Sequence, residues 1–457
     1  MEYIDYYRAH VKGLSLLATF YWENLALLTT LPHEIRNPAA LNDLLYHSKR
    51  PQSETLELTV PNSIKERYSQ GYTNLKECMR ELHKGLPSRP FHHTIYFMMA
   101  VRLSCLVAAA LGHPLLAFFL GLLQFAVAPY SLFAAVTMFM ALAPPVYAGH
   151  YAAQVILQNL RTLLLPSALD WSIPIDNTFI LLFLAADQLA CAYCYFQTGL
   201  GPSARLPLRT TLVHVGYGFL NTKTYSLLLL LLCRGHSIPL FVWLVDAFTG
   251  LSGRLATICA HHTLHWALLF YHQHRMVHLP RVYESAHKFH HYLHDTNAFD
   301  AHIYGSGLPE EWLGLWVEVA GQMALGYTPT SLSYHTLTLS WSNKVGHTRK
   351  ADGSGGVNHH ADHHTWHSKN YGIYNALLDL YFGTNAPDNE EYQMASFNIK
   401  RTENPESGTT ILQFARAGSG PDAERLQERY FSPDPIRTFF QTTVAPLFTA
   451  SKHQKAN

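Results

Sequence analysis

Charged residues are scarce in this chain. Only 14% of its 457 residues are Asp, Glu, Lys or Arg, against about 25% in an ordinary soluble domain. The formal net charge of +1 lacks the basic surplus of a nucleic-acid surface, so no nucleic-acid partner is expected. Six cysteines give no disulfide scaffold. Cys191 and Cys194 form a C-x-x-C inside an apolar run and read as buried thiols. The opening MEYIDYYRAHVKG has no basic region before an apolar one, so it does not read as a secretory leader. No glycine cradle for a phosphate is present: GSGG at 353–356 follows no strand pattern. No internal repeat and no nicotinamide or flavin fold is visible.

Histidine, in contrast, is abundant, with 29 copies. Residues 272–294 read HQHRMVHLPRVYESAHKFHHYLH, and residues 359–367 read HHADHHTWH. His274 and His278 are spaced to share one face of a helix. His287, His290 and His291 form H-x-x-H-H, and His360, His363 and His364 repeat it. Three such patches can aim two or three imidazoles each at one interior site. Neutral imidazole suits iron and zinc, and eight such nitrogens suit two metals with positions left for oxygen or water. Isolated histidines such as His10, His214 and His453 read as surface or packing residues.

These motifs resemble the fatty acid hydroxylase superfamily, which includes sterol desaturases and sterol C4-methyl oxidases. Its H-R-x-x-H box stands as His274 to His278, its H-x-x-H-H box as HKFHH at 287–291, and its third box as HADHH at 360–364. NYG at 370–372, Asp379 and FGT at 382–384 are similar to the family's closing stretch, with Leu378 where the family has tryptophan. AFDAH at 298–302 and VGHT at 345–348 match single-histidine stretches, giving His302 and His347. The resemblance covers about 255–385. It implies metal ligands His274, His278, His287, His290, His291, His302, His347, His360, His363 and His364. His294, His359, His367 and His335 stand near as spares. Asp362, Asp300 and Glu284 are candidate acceptors behind the ligands, and Asp379 and Asn370 would brace the third box.

The expected fold is all-α: multi-span membrane helices carrying a cytosolic-face, histidine-rich di-metal domain. The uncharged stretch Leu103–Leu160 is long enough for two spans of about 20 residues, with breaks expected at Pro129 and at Pro144-Pro145. Residues 177–198 are a further candidate span. Residues 225–250 read as a short hairpin or one interrupted segment. From residue 63 a helix broken by Gly71 is expected. The division expected is 1–90 (partly polar), 91–254 (membrane helices), 255–385 (histidine boxes) and 386–457 (polar tail with an apolar patch). Arg275, Arg281, Lys288, Lys344, Arg349 and Lys350 suggest a cytosolic site by the positive-inside bias, in a multi-pass protein of the endoplasmic reticulum membrane.

The function expected is an oxygen-dependent, membrane-bound di-iron oxidoreductase that hydroxylates or desaturates a hydrophobic lipid, sterol or terpenoid-like substrate drawn from the bilayer. Its electrons would come from a separate protein such as a cytochrome b5 or a reductase. Zinc in place of iron would give a hydrolytic or aldehyde-processing enzyme instead. A metal transporter or a non-enzymatic scaffold is the third alternative; a transporter would place its ligands within spans.

Overall fold

In a computed structural model, the structure describes residues 2–34, 55–86, 91–123, 129–166, 169, 171–197, 224–261, 264–288, 291, 363–364, 366–372, 377–385 and 397–416. The described residues are predominantly helical, with two small sheets among them.

Helix α1 (Glu2–Glu34) packs on α2 (Asn62–Leu82). Leu17, Phe20, Tyr21 and Leu28 of α1 meet Tyr68, Tyr72, Leu75 and Met79 of α2 in one apolar core. Their spacing is that of one helical stripe on each partner. Gly71 does not break α2. A Cβ there would come within 2.9 Å of the Phe20 ring, so its glycine serves the close approach of the two helices.

Helices α3 (Phe91–Ala110) and α4 (Pro114–Leu122) follow, turning at Gly112 with φ 82°. Helix α5 (Tyr130–Leu164) starts after Pro129, as expected, but runs unbroken through Pro144 and Pro145. Its first turns reach the α1–α2 core: Tyr130 is fully buried, and its hydroxyl lies 2.8 Å from His83 Nε2. His10 also packs here, with its ring centroid 4.9 Å from that of Tyr130.

Strand β2 (Ser172–Pro174) pairs antiparallel with β3 (Ser237–Pro239), bracketing α6 (Asn177–Gln197) and α7 (Thr224–Leu232). The 225–250 stretch is therefore α7, a turn, β3 and α8 (Leu240–Thr249). Gly250, in the left-handed region, closes α8. Buried Asp246 then accepts the Ser252 amide at 2.7 Å, starting α9 (Leu251–His261). Helix α10 (Leu264–Val277) carries the first histidines and packs on α1 and α5.

The tail contributes strands that its polar sequence did not announce. Strands β4 (Phe397–Asn404) and β5 (Thr409–Arg416) form a hairpin, and β5 pairs with β1 (Thr55–Pro61) in the order β1-β5-β4. Helix α11 (Leu377–Phe382) lies against α2. The Tyr381 hydroxyl accepts the Lys65 amide at 3.1 Å and donates to the Pro61 carbonyl. The sheet, α2 and the segment after the third histidine box are thus joined at one corner.

The expected membrane spans are not found. Among the described residues, no helix is long and apolar enough to cross a membrane. Helices α4, α7 and α8, with 9, 9 and 10 residues, reach only about half of the roughly 20 residues a span requires. The longer α3, α5 and α6 carry buried Arg102, His150 and Asp187 within them. The expected multi-pass placement in the endoplasmic reticulum, with its cytosol-facing site, falls with the spans. Arg275 is no free basic flank either. Its guanidinium lies 4.2 Å from the Tyr72 ring centroid and 5.4 Å from that of Tyr68.

Candidate metal centre

Five histidines converge: His274, His278, His287, His291 and His363. One nitrogen from each lies within 4.8 Å of all the others. Helix α10 supplies His274, and His278 follows immediately after its last residue. The next pair arrives on a wider turn than the H-x-x-H-H spacing suggested. Residues Tyr283–His287 form a π-helical turn, closed by the Lys288 amide on the Tyr283 carbonyl at 2.7 Å. Such turns are rare and frequent at functional sites. Arg281, at φ 68°, sets up the turn. Its guanidinium donates to the Leu86 carbonyl at 2.9 Å and to Glu284 at 3.0 Å. Ser131 of α5 donates to the Ser285 carbonyl at 3.2 Å. His287 is thereby held from both sides, and His291 lies beyond it.

His363 comes from the third box and sits in the middle. Its Nε2 is 3.0 Å from His291 Nε2 and 3.1 Å from His278 Nε2, while His274 and His287 approach Nε2 to Nε2 at 3.2 Å. Main-chain carbonyls orient two of the rings. His274 Nδ1 donates to the Tyr371 carbonyl at 2.7 Å, and His363 Nδ1 donates to that of Lys369. An imidazole that gives its Nδ1 proton to a carbonyl keeps a bare lone pair at Nε2. Both bare nitrogens point into the cluster.

The electrostatics favour neutral ligands. Burial, followed by the neighbouring imidazoles, holds His278, His291 and His363 well below the ordinary histidine range. Burial alone brings His287 down to about 3. Protons therefore do not fill the space between the crowded nitrogens near neutral pH. A metal ion would satisfy them together, and an all-imidazole set suits iron or zinc. The cluster can coordinate one or two ions.

Asp379, fully buried, braces this arrangement. Its carboxylate accepts the Tyr371 and Gly372 amides, each at 2.8 Å, and the Thr384 hydroxyl at 2.6 Å. The Thr384 main chain accepts the Asn370 amide at 2.9 Å, and Asn370 adopts φ 57°, a region Asn tolerates better than most residues. These contacts hold the loop whose carbonyls orient His274 and His363.

Of the remaining sequence-predicted ligands, His364 is buried with its ring 4.6 Å from that of His291. His367, a spare in the sequence reading, also comes within 4.6 Å of the His291 ring. His290, His302, His347 and His360 lie outside the described residues, as do His294, His335, His359, Asp300 and Asp362. Among the described residues Glu284 backs no imidazole; it pairs with Arg281 at 3.0 Å. Carbonyls do that work for His274 and His363, and no residue-type pattern reveals a carbonyl. Tyr283 was also missed: its ring stacks on His278 at 5.3 Å.

The cluster is consistent with the histidine-ligated metal motif typical of the fatty acid hydroxylase superfamily. No protein-family model, curated protein or solved structure matches the chain.

Proposed function

We propose that this chain is a metal-dependent oxidoreductase that uses two histidine-held irons to hydroxylate or desaturate a hydrophobic small molecule with dioxygen. The observation that carries this reading is the convergence of five buried imidazoles, with His274 and His363 fixed as neutral donors by main-chain carbonyls. His274, His278, His287, His291 and His363 would hold the metal, with His364 beside them. Iron so held supplies dioxygen binding and the oxidation of an unactivated C–H bond.

The protein's own contribution is position and exclusion. The carbonyl-anchored rings keep their donor nitrogens aimed inward, and the second partners of metal-binding imidazoles tune such sites strongly. Tyr283 and Tyr371 wall the His278 ring, at centroid distances of 5.3 and 5.2 Å. Such walls keep water and competing reactions away from a reactive centre. The histidine-box resemblance supports a lipid, sterol or terpenoid-like substrate. The absence of a nicotinamide or flavin motif supports a separate electron-donor protein such as a cytochrome b5 or a reductase.

The test is metal analysis of the purified full chain, followed by oxygen uptake after chemical reduction of the iron-loaded protein. Iron bound with stoichiometric oxygen uptake, both lost in His363→Ala, is the expected result. A protein that takes zinc but not iron, or holds iron without consuming oxygen, overturns the reading.

A further inference from the structure

The buried hydrogen bond between Tyr130 and His83 lies outside the histidine cluster, yet both of its ends lead there. His83 follows directly on α2, and its Nδ1 donates to the Met79 carbonyl at 2.8 Å. Its Nε2 therefore keeps a lone pair, which accepts the Tyr130 hydroxyl at 2.8 Å. Tyr130 is the first residue of α5, 47 positions later in the chain. At the α5 end, the next residue, Ser131, donates to the Ser285 carbonyl at 3.2 Å, inside the π-helical turn. At the α2 end, the Leu86 amide donates to the His83 carbonyl at 3.2 Å, and the Leu86 carbonyl accepts the Arg281 guanidinium at 2.9 Å. Arg281 and Ser285 are joined in turn, because the Arg281 carbonyl accepts the Ser285 amide at 3.2 Å. The contacts close a ring that runs from Tyr130 through the π-turn and back to His83. His287 is the last residue of that turn.

Packing alone does not call for the Tyr130–His83 bond. Phenylalanine would fill the same space with no buried polar group to satisfy. The hydroxyl is also admitted at a cost to α1. A Cβ at Gly13 would collide with it, so α1 keeps glycine in its interior, where glycine weakens a helix. His10, itself buried, packs on both rings, with centroid distances of 5.0 Å to His83 and 4.9 Å to Tyr130. The junction of three helices is thus arranged around one hydrogen bond.

We propose that His83 and Tyr130 are positioning residues of the metal centre: their bond locks together the two grips on the π-turn and so fixes where His287 presents its ring. The inference rests on His287 serving as a ligand in the proposed function. Neither residue belongs to the ligand set, and each acts through the segment it holds. Turns of this kind are rare, and outside contacts keep this one in place. Released from them, the segment tightens toward an ordinary helical turn and swings His287 away from its partners.

The experiment compares the full-length wild type with Tyr130→Phe, His83→Leu, His83→Gln and Ser131→Ala. Glutamine offers a carboxamide oxygen near the Nε2 position and keeps accepting the hydroxyl, whereas leucine cannot. Hydrogen exchange of the metal-free proteins is read in peptides covering 279–288 and the β4–β5 hairpin. Cobalt(II) titration then gives the affinity and the visible spectrum of the bound ion. Tyr130→Phe and His83→Leu speed exchange in 279–288 about tenfold and leave the hairpin unchanged. Both weaken cobalt binding about tenfold and shift its visible bands. His83→Gln stays near the wild type in every readout. Tyr130→Phe adds little to Ser131→Ala, since both cut the same ring. If Tyr130→Phe does not fold, fluorotyrosine at position 130, a stronger donor of nearly the same shape, slows exchange in 279–288 instead. Exchange that is unchanged in 279–288, or rises equally in the hairpin, overturns the positioning role and leaves the proposed function standing. So does a His83→Gln variant as impaired as His83→Leu. A wild type that binds neither cobalt(II) nor iron overturns the proposed function and this inference with it.

Discussion

His274 on helix α10 donates its Nδ1 proton to the main-chain carbonyl of Tyr371, 97 residues later in the chain, at 2.7 Å. This one bond sets the tautomer of the His274 ring and ties the first histidine box to the loop after the third. That loop is itself tied to Asp379.

Asp379→Asn tests this dependence. The carboxylate accepts three hydrogen bonds in a buried setting. An amide in its place turns a donor toward a donor. A loss of about 1–3 kcal/mol is expected from a buried group left unsatisfied, and metal affinity should fall about 10–100-fold. Urea unfolding and competitive metal titration measure the two effects separately. A variant of unchanged stability and affinity would show that the Tyr371 loop holds itself.

His363→Ala should weaken metal binding most among single ligand changes, because His363 Nε2 contacts both His278 and His291. Metal at 100 times its dissociation constant stabilises a folded protein by about 2.7 kcal/mol. Chelation should therefore lower the melting temperature of the wild type and leave that of His363→Ala nearly unmoved. Differential scanning fluorimetry with and without chelator reads this directly.

Acidification of the metal-free protein should destabilise it. His287 and His272 are each held down to about 3 in the folded chain, His287 by burial, and His272 by burial and then Arg275. Unfolded, each takes up a proton near its ordinary 6.5. The unfolded state thus binds more protons between these values, and folding stability drops as pH falls through that window. Each group contributes a slope of about 1.4 kcal/mol per pH unit there. The penalty is absent above 6.5 and saturates below about 3. Denaturant midpoints between pH 7 and 4, taken for the wild type and His287→Leu, test it; an equal slope in both would remove His287 from the account.

Gly13→Ala probes the α1–α5 contact. Alanine would ordinarily gain about 0.5–1 kcal/mol at a helix interior. Here a Cβ would lie 2.0 Å from the Tyr130 hydroxyl, which is held by His83. Overpacking of this kind costs about 1–3 kcal/mol, so a net loss is expected. Adding Tyr130→Phe to Gly13→Ala should recover part of it, read from the shift in urea midpoint.

The reach of sequence reasoning can be seen residue by residue. Box spacing pointed to His274, His278, His287, His291 and His363 because helical periodicity translates directly into a shared face. The NYG and Asp379 pattern pointed to a brace only through its resemblance to the family's closing stretch. The carbonyls of Tyr371 and Lys369 were invisible, since every residue has one. The π-turn at 283–287 was not anticipated, because one extra residue per turn leaves no mark in composition. The pairing of β5 with β1 was missed because β1 is contributed by residues more than 300 positions away.

The low charge and long apolar stretches suggested spans, because hydropathy counts residues without knowing where helices end. Gly112, Gly235 and Gly250 each adopt positive φ at an element boundary, and among the described residues no helix is long and apolar enough to cross. What the sequence determined by itself is the chemistry available: many imidazoles in repeated spacing and few charges. Which imidazoles meet and which of their nitrogens keep a lone pair were decided by tertiary structure. Each depends on contacts between residues far apart in the chain, whose geometry no local pattern encodes.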